Sequence, residues 1–200
     1  MKKTNILRSL IGIFVILVVF ACSSKEEVPA DEYVKMETNL GTIIIDLYEA
    51  ETPIHAANFK KLSSDGSFEG IYFHRVIPGF VVQGGDPNTR DNDDRTDDGL
   101  GGIGETIPAE IGQPHLRGTL GAARQPEEVN PEKRSSGSQF YFCHGTPSFL
   151  DPNYTVFGKV VDGMDVVDEI AKLKCDSRDN PLESVTILKT SIVSSADYQK

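Results

Sequence analysis

Cysteine is scarce in this chain, with three residues among 200: Cys22, Cys143 and Cys175. No C-x-x-C pair occurs, and the four histidines have no ligand-like spacing with Cys or Glu. No metal site is indicated, and no cofactor is expected. An oxidising compartment would permit a Cys143–Cys175 disulfide, but nothing in the sequence brings the two together. Cys143 ends an apolar run and reads as a buried thiol; Cys175 follows a helical stretch and reads as exposed. Positive charge is also short: 20 Lys and Arg face 30 Asp and Glu, a net charge of −10. An acidic chain repels nucleic acid and anionic lipid, so a DNA or RNA partner is not expected. Two catalytic signatures are missing as well. No G-x-S-x-G surrounds a serine, Ser138 has no marked His–Asp pair, and no Gly-Lys-Ser/Thr follows the glycine-rich 99–104. A hydrolase elbow and a phosphate loop are thereby set aside.

Long apolar runs are almost absent too. The exception is 10–21, behind Lys2, Lys3 and Arg8 and ahead of Val19-Phe20-Ala21-Cys22. It is too short for a comfortable membrane span. The pattern resembles a bacterial lipoprotein signal cleaved before Cys22, with lipid on its thiol; a plain secretory signal and an uncleaved anchor are the rivals. Residues 1–21 are therefore left out of the fold, and 22–32 read as a flexible tether. Losing the three positive charges takes the net charge from −10 to −13. Ser23 after the cysteine, by resemblance to enterobacterial lipoproteins, gives no inner-membrane retention. The expected location is the cell envelope, lipid-anchored, on the outer membrane and facing the periplasm or the surface.

The remainder is one domain's worth of chain. Strand-like runs at 33–37 and 42–48 flank turn chemistry at Asn39 and Gly41, a hairpin. Thr52-Pro53 opens a helix, Thr as N-cap and Pro at the first position, with Ile54, Ala57, Phe59 and Leu62 as its apolar side. Further strands are expected at 71–73, 80–83, 118–124, 138–143, 156–161 and 184–193, the last with Val185, Ile187 and Leu188 inward. Residues 164–173 read as a second helix with Val166, Val167, Ile170 and Ala171 buried. The acidic run 91–98 reads as a solvated loop rather than a calcium loop, since Arg95 falls where a ligand belongs. Seven or eight short strands with two helices suggest a mainly β fold, a closed antiparallel barrel.

The chain is organised around Phe73-His74-Arg75-Val76-Ile77-Pro78-Gly79-Phe80-Val81-Val82-Gln83-Gly84-Gly85-Asp86. Phe73, Arg75 and Ile77 share one parity. After the Pro78-Gly79 turn, Phe80, Val82 and Gly84 share another, with Val81 and Gln83 opposite. If the turn brings Arg, Gln and Phe together, they make an apolar pocket with a few fixed donors, suited to a neutral polar ligand such as a peptide. His74, of opposite parity to Arg75, reads as a structural hydrogen-bonding residue.

That string resembles the signature of the cyclophilins, peptidyl-prolyl cis-trans isomerases, F-H-R-x-I-x-x-F-x-x-Q-G-G-D. The likeness covers about 33–194 and includes Gly118-Thr119-Leu120, 136–142, Phe149-Leu150-Asp151 and 156–160 in the family's order; 195–200 is left as a tail. It implies an eight-stranded antiparallel barrel capped by two helices. By position it makes Arg75 the catalytic arginine, beside Phe80 and Gln83. Phe80, Val81, Tyr141 and Leu150 would form the proline pocket. Gln83 would bond the substrate backbone, Ala123 and the main chain of Arg124 would line the adjoining groove, and Gln139, Phe149 and Tyr154 would sit on the rim. Val81 replaces the usual Met, Tyr141 the usual Phe, Phe149 the Trp of many eukaryotic members and Tyr154 the usual His; Arg124 stands where Asn is common. Phe149 lacks an indole donor, which argues against cyclosporin binding. The expected partners are Pro-containing segments of folding proteins and, through the lipid, a membrane; the expected state is a monomer. A non-catalytic peptide-binding holdase and an inert lipid-anchored scaffold are the competing readings.

Overall fold

The computed structural model describes residues 31–91 and 95–198. The expected leader 1–21, most of the tether, the lipidation residue Cys22 and part of the acidic loop lie outside the described residues. Eight antiparallel strands make one sheet: β1 (Glu32–Thr38), β2 (Gly41–Leu47), β3 (Arg75–Ile77), β4 (Val81–Gly84), β5 (Thr119–Ala122), β6 (Phe140–Cys143), β7 (Val156–Asp162) and β8 (Ile187–Ser194). Their order is β3-β4-β6-β5-β7-β2-β1-β8. The sheet curls, but its ladder does not close: β3 and β8 are its two edges. The chain just ahead of each edge strand meets across the seam. Tyr72 bridges Thr186, Phe73 N–H donates to the Val185 carbonyl at 3.1 Å, and Ile187 N–H donates to the Ile71 carbonyl at 2.8 Å. The strand expected at 71–73 is thus a single bridge, and the expected closed barrel is a curled sheet with a stitched seam.

Two helices pack on the sheet: α1 (Pro53–Ser64) against β7 and β8, α2 (Met164–Ala171) against β2, β3 and β4. A third, α3 (Ser195–Tyr198), occupies the expected tail. The core is aromatic. Phe59, Phe68, Phe140 and Phe157 meet edge-on or tilted at centroid distances of 5.0–5.5 Å, geometries the ring quadrupole favours. Alternation along β6 sends Phe140 and Phe142 into this core and Tyr141 and Cys143 into a second, smaller cluster with Val81, Ala123 and Leu150. Cys143 and Cys175 are both free thiols; Cys175 is half-buried rather than exposed.

Three helix and strand expectations need correction. Ile54 and Ala57 face solvent, while His55, Ala56, Phe59, Leu62 and Ser63 form the buried side of α1. Thr52 stands at the N-cap position, but its hydroxyl donates back to the Tyr48 carbonyl at 2.9 Å. The open N–H groups of Ile54 and His55 are instead taken by the carboxylate of Glu110, at 3.1 and 3.0 Å, a favourable place for negative charge. Leu188 is exposed, because β8 begins at Ile187 and alternates outward at the next residue.

Candidate active site

The site is built on the outer face of the sheet. Register sets Arg75 opposite Gln83, Gln83 opposite Tyr141, and Tyr141 opposite Gly121. Four residues from three distant segments therefore form one row across β3, β4, β6 and β5, spaced by the strand separation of ~4.8 Å. The inward residues of the same strands, Val76, Val82 and Phe142, belong to the aromatic core.

Pro78 and Gly79 make the turn between β3 and β4. Phe80 N–H donates to the Ile77 carbonyl at 3.0 Å, and Gly79 has φ +76°, a left-handed value that favours glycine. This turn corrects the parity reading. Phe80 precedes β4 instead of lying on it, so it joins the face of Val81 and Gln83, not that of Val82. Phe73 likewise precedes β3 and is buried in the core, away from Arg75.

The result is a slot of about 140 Å³ walled by Phe80, Val81, Ala123, Tyr141, Leu150 and Tyr154, with Arg75, Gln83 and Arg124 at its polar margin. A liquid water occupies ~30 Å³, so the space suits a five-membered ring and is not filled by the protein's own side chains. The Arg75 guanidinium lies 5.7 Å from the Phe80 ring centre, and Nη1 is 3.5 Å from Gln83 Oε1. Gln83 is oriented from behind. Its Nε2 donates to Gln139 Oε1 at 3.0 Å, and Gln139 Nε2 donates to the carbonyls of Gly99 and Gly101 at 2.9 and 2.7 Å. Gln139 is largely buried and lines the adjoining groove with Gln83, Ala123 and Arg124 rather than the slot itself. Phe149 is 67% exposed and stacks on the outer side of Phe80, 5.7 Å between ring centres. Arg124 lies 4.7 Å over the Tyr154 ring and donates from Nε to the Asn153 carbonyl at 2.8 Å.

The floor holds a network that the sequence reading missed. Tyr141 is buried, and its hydroxyl lies 2.8 Å from His115 Nε2. His115 Nδ1 and its backbone N–H both reach Asp151 Oδ1, at 2.8 and 2.7 Å. Burial lowers the His115 pKa, opposed by Asp151, while the two His115 contacts hold the Asp151 carboxyl below its usual range. Neutral His115 therefore keeps its proton on Nδ1, toward the carboxylate, and its Nε2 accepts from the Tyr141 hydroxyl. The available signal was a tyrosine in place of the family's phenylalanine, since a buried hydroxyl needs a partner. A Cβ at Gly121 would stand 2.3 Å from Tyr141 Cζ, so only glycine leaves room for the ring. His74 differs from its expected role: it is buried, yet among the described residues neither ring nitrogen has a hydrogen-bond partner. Among the described residues no group of His, Cys, Asp and Glu could hold a metal ion.

The curled antiparallel sheet thus carries, on its outer face, an arginine beside an open apolar slot, a candidate ligand site. The chain belongs to the cyclophilin type peptidyl-prolyl cis-trans isomerase family, whose model matches residues 33–192. It is 42% identical over 128 residues to a peptidyl-prolyl cis-trans isomerase of Synechococcus elongatus, covering 64% of this chain and 79% of that one. It is 36% identical over 159 residues to one of Schizosaccharomyces pombe, covering 78% of this chain and 96% of that one. A peptidyl-prolyl cis-trans isomerase-like 2 of Gibberella zeae is 35% identical over 183 residues; that match covers 88% of this chain but only 29% of the much longer relative. Among solved structures, a Cryptosporidium parvum cyclophilin type peptidyl-prolyl cis-trans isomerase superposes with TM-score 0.72 at 28% identity, covering 82% of this chain and 98% of that one. The same Cryptosporidium protein was also solved in the presence of the dipeptide Ala-Pro.

Proposed function

We propose that this protein accelerates cis–trans isomerisation of X-Pro bonds in exported proteins, using Arg75, Phe80 and Gln83 around the slot. One observation carries the reading: the slot is open, apolar and sized for a pyrrolidine ring, with a guanidinium on its margin. Amide resonance makes rotation cost ~18–20 kcal/mol. Twisting the C–N bond breaks that resonance and leaves a lone pair on a pyramidal nitrogen. Phe80, Tyr141 and Leu150 hold the ring. Arg75, permanently charged and with planar donors, donates to the twisted nitrogen or a neighbouring carbonyl, and Gln83 fixes the flanking backbone. No bond to a protein atom is made, so only preferential binding of the twisted form is required. A rate gain of about 10⁵ corresponds to about 7 kcal/mol of such preference. Val81, Ala123, Arg124 and Tyr154 complete the groove, with Gln139 and Phe149 supporting Gln83 and Phe80. The Cryptosporidium structure with Ala-Pro supports a proline-containing ligand for this fold.

The test is a proline-limited refolding assay. Arg75→Ala is expected to lose on the order of 10²–10³ in kcat/KM, the usual effect of removing one preorganised donor to developing charge, and Arg75→Lys is expected not to restore it. Equal rates for wild type and Arg75→Ala would end the catalytic reading and leave a binding module.

The site operates, on this proposal, at the cell envelope: 1–21 is removed, lipid is carried on Cys22, and 22–32 tethers a monomeric domain to the membrane. The short apolar run, the cysteine behind it and the polar stretch that follows support this. A Cys22→Ala form expressed with its leader is expected to leave the membrane fraction for the soluble one. Retention in the membrane would count against the anchor.

A further inference from the structure

A second cleft, about 200 Å³, adjoins the slot, and Arg75 and Gln83 line both. Its other walls include Arg95, Asp98 and Arg178, with the buried His74 beneath. Three guanidiniums and one carboxylate among the described residues thus face one small space, in a chain of net charge −10. Among the described residues none of the three arginines is in an ion pair. Arg95 directs Nη1 to Asn180 Oδ1 at 3.3 Å and the Pro181 carbonyl, and one Nη2 hydrogen to Ser184 Oγ at 3.3 Å, all uncharged oxygens, so two of its five N–H donors are not used by these contacts. It also lies 5.8 Å over the Tyr72 ring. Arg75 hydrogen-bonds only Gln83 among the described residues, and Arg178 is exposed. One oxygen of the opposing carboxylate is already engaged, while Asp98 Oδ1 is buried with no hydrogen-bond partner among the described residues. Asp98 Oδ2 accepts from the Tyr72 hydroxyl at 2.6 Å and from Asn180 Nδ2 at 2.5 Å. Asp176, on the loop behind, accepts from the backbone N–H groups of Arg178 and Asn180.

Such a cleft has donors and charge in surplus and is continuous with the place where a peptide lies. We infer that it is a subsite for an acidic side chain, aspartate or glutamate, carried by the substrate close to its proline, with Arg178 and Arg95 holding the carboxylate beside Arg75. The inference rests on the isomerase reading of the slot. It adds a preference that Arg75, Phe80 and Gln83 alone would not create, and it assigns that preference to residues outside the proline slot. The planar forks of arginine suit a carboxylate in two-point contact.

The experiment uses alanine-based peptides with one X-Pro bond and Glu, Gln or Lys at each of the two positions before and after it. Isomerisation is measured for wild type, Arg178→Ala and Arg178→Glu. At one position wild type is expected to favour Glu over Gln on the order of fivefold, as for a partly exposed charged contact. Arg178→Ala should erase most of that preference, and Arg178→Glu should invert it toward Lys. Turnover of the Gln peptides should be the same for all three proteins. Equal Glu and Gln rates at every position in wild type would overturn the inference while leaving isomerase activity intact. Loss on Gln and Glu peptides alike in the Arg178 variants would also overturn it, since Arg178 would then be structural. If no peptide is turned over, the isomerase reading fails, and the same peptide series read by fluorescence anisotropy decides whether the cleft selects acid.

Discussion

Replacing Tyr141 by Phe removes one oxygen atom and keeps the ring that floors the slot. The hydroxyl lies 2.8 Å from His115 Nε2, and His115 is fully buried. Without it, Nε2 keeps its lone pair in a site closed to water, because Nδ1 stays committed to Asp151 at 2.8 Å. A net hydrogen bond contributes about 1 kcal/mol, and a buried acceptor left without a donor costs ~1–3 kcal/mol. These overlap, so a loss of about 2 kcal/mol is expected. For a domain of this size each kcal/mol moves Tm by ~2–4 °C, so Tm should fall by roughly 4–8 °C at pH 8. The slot wall is unchanged, and kcat/KM on a neutral X-Pro peptide should stay within about threefold, well inside the ~1.4 kcal/mol that makes a tenfold change. Urea unfolding of Tyr141→Phe, His115→Leu and the double variant isolates the pair. In the His115→Leu background the tyrosine hydroxyl has lost its partner, so removing it should be neutral or stabilising. If Tyr141→Phe is neutral in the wild-type background, or costs the same in both backgrounds, the reasoning about this network is wrong.

Two further outcomes follow from the buried histidines and from the glycine under the ring. Burial lowers the pKa of His55, His74 and His115 from 6.5, against the opposing carboxylates Glu110, Asp86 and Asp98, and Asp151, with Arg75 adding to the lowering at His74. The unfolded chain therefore takes up protons below pH 6.5 that the folded chain refuses, so stability is full above that pH and falls as pH drops toward the folded values. Each histidine contributes a slope of up to ~1.4 kcal/mol per pH unit, so the three together give up to ~4; urea midpoints that stay flat from pH 8 to pH 5 would refute this. Gly121→Ala sets a methyl 2.3 Å from Tyr141 Cζ. It should destabilise by ~1–3 kcal/mol and weaken X-Pro peptide binding, because the ring can yield only by giving up His115 or entering the slot; unchanged peptide affinity would count against glycine as the slot's spacer.

Local rules made much of the sheet legible. The apolar run at 140–143, the turn residues at 39–41 and the Thr52-Pro53 start each predict an element that is present. The signature string places Arg75, Phe80 and Gln83 together through a three-residue strand, a tight turn and a four-residue strand, so their meeting needs almost no tertiary information. What could not be read depends on distant partners. Glu110 reaches α1 across 55 residues and takes the capping role that Thr52's position suggests. His115 meets Tyr141 across 26 residues and Asp151 across 36. Ile54 looks like core by composition, but α1 packs with its other side toward β7 and β8, and periodicity alone does not say which of two apolar sides is covered.

The division between the two faces explains why a changed slot is compatible with an unchanged frame. On β3, β4, β5 and β6, the inward residues Val76, Val82, Leu120, Phe140 and Phe142 carry the aromatic core, and the outward residues carry the site. Valine at 81 and tyrosine at 141 therefore alter the slot without touching core packing. The ladder constrains the row more tightly than the identity of any wall residue. Arg75, Gln83 and Tyr141 are neighbours because their backbones are hydrogen-bonded in register. A slip of one residue in β4 would send Gln83 into the core and Val82 beneath the guanidinium. The turn at Pro78 and Gly79 is the short-range device against that slip, which makes those two exposed residues matter to the chemistry although neither lines the slot.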